Sequence, residues 1–284
     1  MASHRFPSLV VLVCISLLFM AYVARLQHHS CTPADAGCVV YRPHIKLAII
    51  TSYYKSEYPD RASEIDVSLA SLIANPLLHQ VHVLVEVKDR PLPPFAIVNP
   101  RTKEIVISKR PLMGDYIQYA CDHLHETGHR VIFSNSDIFF DSTLDYFTKI
   151  ADEVFDQTFY AISRWRLDTT GKDINTGAPG TPLGMTAYPF PGYGSYDTFA
   201  FKPKTICSDK VKLKDMVESL NYTMGVLGAE NRLLYEVRRQ YPEIKLVNPY
   251  KDVRTIHIHD SGKRDSTWSD RVNEGKSLWI SENL

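Results

Sequence analysis

No charge of either sign predominates in this chain: 32 Lys and Arg face 32 Asp and Glu across 284 residues, and no run of basic residues breaks the balance. The electrostatic footprint of a nucleic-acid partner is therefore missing. Internal repeats are missing too, which excludes solenoids and propellers. So are a Walker loop, a Ser-centred nucleophile elbow and clustered zinc spacing, and with them the classes those motifs define. Long apolar runs are lacking, with one exception at the amino terminus. Residues 7–24 carry no charge and are dominated by Val, Leu, Ile, Phe and Met. As a helix they would reach ~27 Å, close to the hydrocarbon thickness of a bilayer. The segment reads as an uncleaved signal anchor, because Tyr22 stands where cleavage after Ala24 would need a small residue. Arg5 and Arg25 nearly cancel as flanking charges, so the topology rests on the single span, with everything after Ala24 on one side of the membrane.

Cysteine is scarce. Beyond the anchor stand Cys31, Cys38, Cys121 and Cys207, an even number. Cys31 and Cys38 flank a Pro/Ala/Gly loop and suit a small ring, whereas Cys121 lies in a helical pattern and reads as a core residue. Asn221-Tyr-Thr223 fits the N-glycosylation acceptor pattern. Both features fit a lumenal domain. The expected layout is a cytosolic tail (1–6), the anchor (7–24), a polar stem (25–44), a folded domain (45–264) and a tail (265–284).

Within that domain, Leu47-Ala-Ile-Ile50 is an apolar run of the kind a strand covered on both faces requires, and it ends on Thr51-Ser-Tyr-Tyr54. Ile65, Leu69, Leu72 and Ile73 recur at helical spacing until Asn75-Pro76 stops them. Val81 to Val87 and Ile105-Val-Ile107 read as strands. Ile117, Ala120, Cys121 and Leu124 mark one face of a helix that Gly128 ends before the strand Val131-Ile-Phe133. Strands alternating with helices predict an α/β fold, a mostly parallel sheet with helices on both faces. Further on, Phe159–Ile162 is a strand leading to Arg164-Trp165. Residues 166–194 are rich in Gly, Pro and Thr without periodicity, and their aromatics Tyr188, Phe190 and Tyr193 suit a lid over an acceptor. Thr198–Phe201 is a strand, a helix after Gly228 presents Leu233, Leu234, Val237 and Tyr241, and strands follow at Lys245–Val247 and Thr255–His259.

The chemistry concentrates where Val131-Ile-Phe133 should leave the sheet, at Asn135, Asp137 and Asp141. In open α/β sheets ligands bind outside the carboxyl ends of the strands, so oxygens there can hold a divalent cation against a phosphorylated ligand. Asx residues after a strand are equally ordinary turn formers. At a strand end, Asp137 should contribute little to the core. Asp197 precedes another strand, Glu230 starts a helix, and His257 and His259 share a strand face. These residues form a site only if the fold brings them together.

The elements Arg61-x-x-Glu64, Met113-Gly-Asp115, Ser134-Asn-Ser-Asp-Ile138, Ser163-Arg-Trp165, Gly194-Ser-Tyr-Asp197, Gly228-Ala-Glu-Asn-Arg232 and His257-x-His259 follow one another in an order that resembles nucleotide-diphospho-sugar glycosyltransferases of GT-A type, within a group of glycosyltransferase-like proteins. The resemblance spans Ile45 to Lys263 and implies a GT-A, Rossmann-like domain behind a transmembrane helix. It implies that Asp137 holds Mn²⁺ or Mg²⁺ across the diphosphate, with His257 or His259 completing the shell or holding the leaving diphosphate, and that Asn135 stands in for the first acid of a DxD element. Glu230 matches the acidic residue that takes the proton from the acceptor hydroxyl. Asp197 would face the acceptor, Thr51 and Tyr53 the base and ribose, Arg61 and Arg164 the phosphates, and Trp165 a sugar ring. The implied partners are a nucleotide-diphosphate sugar donor, a glycan, glycoprotein or glycolipid acceptor, and a membrane held through residues 7–24. The implied place is the Golgi or endoplasmic reticulum membrane, single-pass type II, with the catalytic domain in the lumen.

Each residue also has a plain structural use. A helix-start Glu suits the macrodipole, Arg61 and Glu64 suit an i,i+3 ion pair, and a Trp after a strand suits a core. Asn135 motivates a second class, a catalytically inactive carbohydrate-binding or scaffold domain on the same fold. A nucleotidyl- or phosphotransfer enzyme is a third, which needs carboxylates and metal but has no use for an acceptor-side Glu230.

Overall fold

A computed structural model describes residues 45–168, 186–189, 195–259, 261, 262, 272, 278 and 280. The expected anchor, the stem, Cys31, Cys38 and most of 166–194 lie outside the described residues. Among the described residues no helix is long and apolar enough to cross a membrane.

The strands are Leu47–Tyr53 (β1), Leu78–Glu86 (β2), Thr102–Ile107 (β3), Arg130–Ser134 (β4), Ile138–Phe140 (β5), Thr158–Asp168 (β6), Thr186–Pro189 (β7), Tyr196–Phe201 (β8), Lys245–Val247 (β9) and Thr255–His257 (β10). The helices are Pro59–Ala74 (α1), Pro94–Ile97 (α2), Met113–His123 (α3), Tyr146–Lys149 (α4), Asp152–Phe155 (α5), Pro203–Cys207 (α6), Lys210–Ser219 (α7) and Ala229–Gln240 (α8). Strand order runs β3-β2-β1-β4-β8-β6-β10-β5. From β3 to β4 the pairing is parallel, and β8 runs against both β4 and β6. The first half of β6 also pairs in parallel with β9, and its second half lies between parallel β10 and antiparallel β7. β5 closes the far edge antiparallel to β10.

The expected mostly parallel sheet is therefore corrected to a mixed one. An apolar run buried on both faces, such as Tyr196–Phe201, reads the same in either direction, so its composition does not reveal that β8 is reversed. The lid expectation is also corrected in part, since Thr186–Pro189 is a strand registered on Trp165–Asp168.

Alternation along β1 sets the two layers. Leu47 and Ile49 enter one core beneath α1, and Ala48 and Ile50 enter the other beneath α3, α6, α7 and α8. Pro59 and Asp60 start α1, Ile65, Leu69, Leu72 and Ile73 face the sheet, and Asn75 caps the end. Each of those four side chains contributes roughly 1.5–3 kcal/mol by leaving water. Asn75 also donates to the Phe140 carbonyl at 3.2 Å, which ties α1 to β5. On the other face α3 and α7 approach so closely that a Cβ on Gly114 would lie 2.7 Å from the Val217 carbonyl oxygen.

Cys121 is a core residue as expected, and more: it forms a disulfide with Cys207 that pins α3 to α6 across 86 residues of sequence. Helical pattern alone did not reveal this, because α6 follows Pro203 as a single short segment with no amphipathic repeat. Cys207→Ala is expected to lower unfolding stability by about 2–5 kcal/mol. Urea denaturation with and without reductant checks it. A wild-type stability indifferent to reductant would remove the bridge from the account.

Candidate active site

The carboxyl ends of β1, β2 and β4 meet the amino end of β8 and the end of β10 on one side of the molecule. β4 hands over to β5 through a tight turn in which the Ile138 N–H donates to the Asn135 carbonyl at 3.3 Å, and this turn presents Asn135 and Asp137. The Ile258 N–H donates to the Asp137 carbonyl at 3.0 Å, so the end of β10 is stitched to the same turn.

Asp137, 5% exposed, is the hub. Its Oδ2 receives Arg61 Nη2 at 2.6 Å and lies 3.0 Å from His257 Nε2, while its Oδ1 is buried with no hydrogen-bond partner. Arg61 comes from the first turn of α1 and also donates to Glu64 Oε2 at 2.9 Å and to the Ile258 carbonyl at 3.4 Å, and lies 3.2 Å from His259 Nδ1. Glu64 is held in turn by the Ser261 N–H at 2.7 Å and the Ser261 hydroxyl at 3.0 Å. His257 and His259 stack with centroids 5.3 Å apart. Burial by itself would raise the Asp137 carboxyl; His257 first and Arg61 next outweigh it and hold the group well below the usual carboxylate range. Burial, then the neighbouring His257 and Arg61, push His259 down to about 4, so its imidazole is neutral at physiological pH and has a lone pair to give. The expectation that Asp137 adds little to the core is thereby corrected: it is a buried ionic junction.

Asn135 lies beside a second knot. Its amide donates to Asp197 Oδ1 at 2.9 Å, and Arg164 Nη1 donates to Asp197 Oδ2 at 3.1 Å. Both oxygens of buried Asp197, the residue expected to face an acceptor, are thus engaged by other side chains. Thr51 is corrected as well: it is buried, and its hydroxyl donates to the carbonyls of Ser134 at 3.3 Å and Asn135 at 3.4 Å, joining β1 to β4 instead of meeting a ligand. Trp165 packs with Phe139 and Ile256, and its indole N–H donates to the Tyr250 carbonyl at 2.7 Å, the ordinary core use. Asp141, grouped with Asn135 and Asp137 in sequence, caps the turn after β5 and pairs with Arg254 at 2.6 Å.

Beside the Asp137 knot, at the ends of β1 and β2, lies a cavity of about 220 Å³ lined in part by Tyr53, Tyr54, Lys55, Asp89 and Arg110. Tyr53 lines it, with its hydroxyl donating to Asp66 at 2.9 Å. Asp89 was not foreseen. It is 5% exposed, accepts from the Lys55 N–H through Oδ1 at 3.2 Å, and leaves Oδ2 buried without a partner. The signal was present, since Asp89 follows β2 as Thr51 and Tyr53 end β1, but a lone Asp before Arg90-Pro91 reads as a turn. Tyr54 joins cavity to knot: Arg61 Nε donates to its hydroxyl at 3.3 Å, and Arg110 lies over its ring at 5.6 Å.

Glu230 is 8% exposed in the first turn of α8, after Gly228 in the left-handed region at φ 85°. The loop leading into α8 abuts the turn after β4: a Cβ on Gly225 would lie 3.8 Å from Asn135 Oδ1. Asn221, in the same loop, is exposed.

Compared with models of known families and with curated proteins, the sequence matches none. Among solved structures it is similar to the mannosyltransferase PcManGT from Pyrobaculum calidifontis in complex with GDP-Man and Mn²⁺, at 14% identity and a TM-score of 0.45, over 89% of this chain and 68% of that one. It is similar to the glycosyltransferase GlyE of Streptococcus pneumoniae TIGR4 at 12% identity and a TM-score of 0.41, over 72% of this chain and 45% of that one. A third is mannose-1-phosphate geranyltransferase from Thermus thermophilus, at 12% and 0.39, over 75% and 74%. The chain thus spans less than half of the Streptococcus protein. All three neighbours are transferases by name, but at these scores their chemistry does not transfer to this chain. The mixed sheet, with its reversed β8 and its β10 and β5 strands at the Asp137 end, fits a Rossmann-like GT-A fold.

Asp137→Asn removes one of the two carboxylates that hold buried Arg61, leaving Glu64, and is expected to cost about 1.5–3 kcal/mol, the range of a hydrogen bond to a charged group. Because the folded-state value of Asp137 is depressed, its contribution is complete above the ordinary carboxylate range and is lost as pH falls through that range and below it. Wild type should lose that increment on acidification and the variant should not. Urea midpoints over a pH series test this, and a loss below about 1 kcal/mol would reduce the pair to a surface-like bridge.

Proposed function

We propose that the chain is a glycosyltransferase that moves a sugar from a nucleotide-diphosphate sugar to an acceptor hydroxyl. The observation carrying this reading is the continuity of two sites through the Tyr54–Arg61 hydrogen bond. The strand-end cavity offers Asp89, a buried carboxylate oxygen with no partner, for a hydrogen-bond donor such as a nucleobase edge. The Asp137 knot next to it offers cationic and metal-type groups where the attached diphosphate arrives.

Asp137, His257 and His259 fit a divalent cation: the Asp137 Oδ1 is a buried oxygen with no partner, and one ligand atom from each residue lies within 4.8 Å of the others. Two imidazoles beside one carboxylate favour Mn²⁺ over Mg²⁺, which prefers oxygen ligands. A cation bound there supplies charge stabilisation to the departing diphosphate. Arg61 and Arg110 add positive charge along the same path. Glu230 is the proposed base that takes the acceptor proton, and Asp197, held by Asn135 and Arg164, positions the turn after β4.

The proposal extends to location: behind the anchor of residues 7–24, the domain lies in the Golgi or endoplasmic reticulum lumen, where glycans, glycoproteins and glycolipids are available as acceptors. The Cys121–Cys207 bridge supports this, being a kind of bond that a reducing cytosol does not maintain, as does exposed Asn221 in its acceptor triplet. The inactive-binder reading has one observation in its favour, that the Asn135 amide is committed to Asp197 and adds no charge to a metal site.

Glu230→Gln keeps size and hydrogen-bonding shape but cannot take a proton. Transfer should fall by about 10²–10⁴-fold with donor affinity nearly intact. Donor titration and transfer assays on the full chain decide it. Undiminished transfer would exclude Glu230 as the base, and donor binding by wild type without transfer to any acceptor would favour the inactive binder.

A further inference from the structure

We infer that Arg61 is a resident cation that latches Asp137, so that its ion pair with Asp137 and the binding of a divalent metal at Asp137, His257 and His259 exclude one another. This inference rests on reading those three residues as a metal site. It adds a built-in competitor for that site.

The geometry is specific. Arg61 touches two of the three candidate ligands at once, Asp137 Oδ2 at 2.6 Å and His259 Nδ1 at 3.2 Å, and the third, His257, lies 3.0 Å from the same Asp137 oxygen. The guanidinium therefore stands among the donors that a cation would need. Arginine does not shed its proton in proteins, so it cannot make way by becoming neutral. With Arg61 and Asp137 both buried, a second positive charge at ligand distance would meet repulsion that water does little to screen. Asp137 Oδ1 has no partner, but a metal held there together with His257 and His259 would stand beside the guanidinium, and relief of that repulsion requires Nη2 to leave Asp137.

The fold provides for that departure. Glu64, one turn along α1, accepts Arg61 Nη1 and is itself fixed by two hydrogen bonds from Ser261. The guanidinium can release Asp137 and keep a partner. An anion arriving with the metal offsets the added charge, so metal and a diphosphate enter together more readily than metal alone. Asn135 fits this arrangement: with one acid fewer than a DxD element, the site holds less negative charge to draw an ion past Arg61.

The test uses the metal alone. Mn²⁺ is titrated into the full chain and free ion is followed by electron paramagnetic resonance, for wild type, Arg61→Lys, Arg61→Met and Arg61→Met combined with His257→Ala. Removing the resident charge should tighten Mn²⁺ binding on the order of 5–150-fold, the span of an ordinary coupling between sites. The lysine variant should stay close to wild type, and the added His257→Ala should cancel the gain. Arg61→Met with Glu64→Gln removes the stranded Glu64 charge if the single variant folds poorly, and Mn²⁺ should raise the melting midpoint of either methionine variant but not of wild type. Methionine variants that bind Mn²⁺ no more tightly than wild type would overturn the latch. So would a gain that survives loss of His257. Neither readout depends on transfer, so failure of the glycosyltransferase reading would appear separately, as the absence of donor binding by wild type.

Discussion

Asp137 carries its negative charge with about a twentieth of its surface exposed, and an ion so placed costs several kcal/mol unless other charges and hydrogen bonds compensate it. Arg61 and His257 provide that compensation from far along the chain, 76 residues before and 120 residues after. One carboxylate thereby fixes the start of α1, the turn between β4 and β5 and the end of β10 relative to one another. The β4 end of the sheet and its β10–β5 edge meet at this point. The residues proposed to meet a diphosphate are thus also structural.

The Asn135–Asp197–Arg164 knot repeats the device at the neighbouring position. Asp137 and Asp197 are each met by an arginine from another element, so the protein itself supplies cations to a place where an acidic cluster would otherwise attract metal. This gives Asn135 a physical role. In place of an acid it donates to Asp197 and lowers the negative charge of the turn, which suits a site whose cationic character comes partly from side chains.

Much of the scaffold was legible. β1, β4 and the sheet face of α1 announce themselves by continuous apolar runs and by the Ile65, Leu69, Leu72, Ile73 spacing, because burial on both faces or on one stripe leaves a compositional mark. Direction leaves none, and so the reversal of β8 was missed. α6 and α7 were missed because Pro203–Cys207 is too short to show a period and Lys210–Ser219 presents mostly solvated Lys, Asp and Glu around the buried Leu213 and Met216. At the site, the strand-end rule singled out Asn135, Asp137 and the two histidines, since it depends only on where strands stop, and the fold brings Asp137 and both histidines together around Arg61. It does not show that the polar groups of Thr51 and Asp197 are held by the backbone of β4 and by Asn135 and Arg164. Asp89 escaped for the opposite reason: its importance lies in a hydrogen bond not made, which no pattern of residues displays.

In the proposed function, Asp137, His257 and His259 form the place where a metal and a diphosphate meet and Arg61 gives way. Anomalous diffraction at the manganese edge, from crystals of the protein soaked with Mn²⁺ and a nucleoside diphosphate, tests it most directly. The expected result is one strong anomalous peak at bonding distance from Asp137 and at least one of the two imidazoles, with Arg61 withdrawn toward Glu64 and the base in the cavity beside Asp89. A bound nucleotide with Arg61 still on Asp137 and no manganese at the three residues would contradict it.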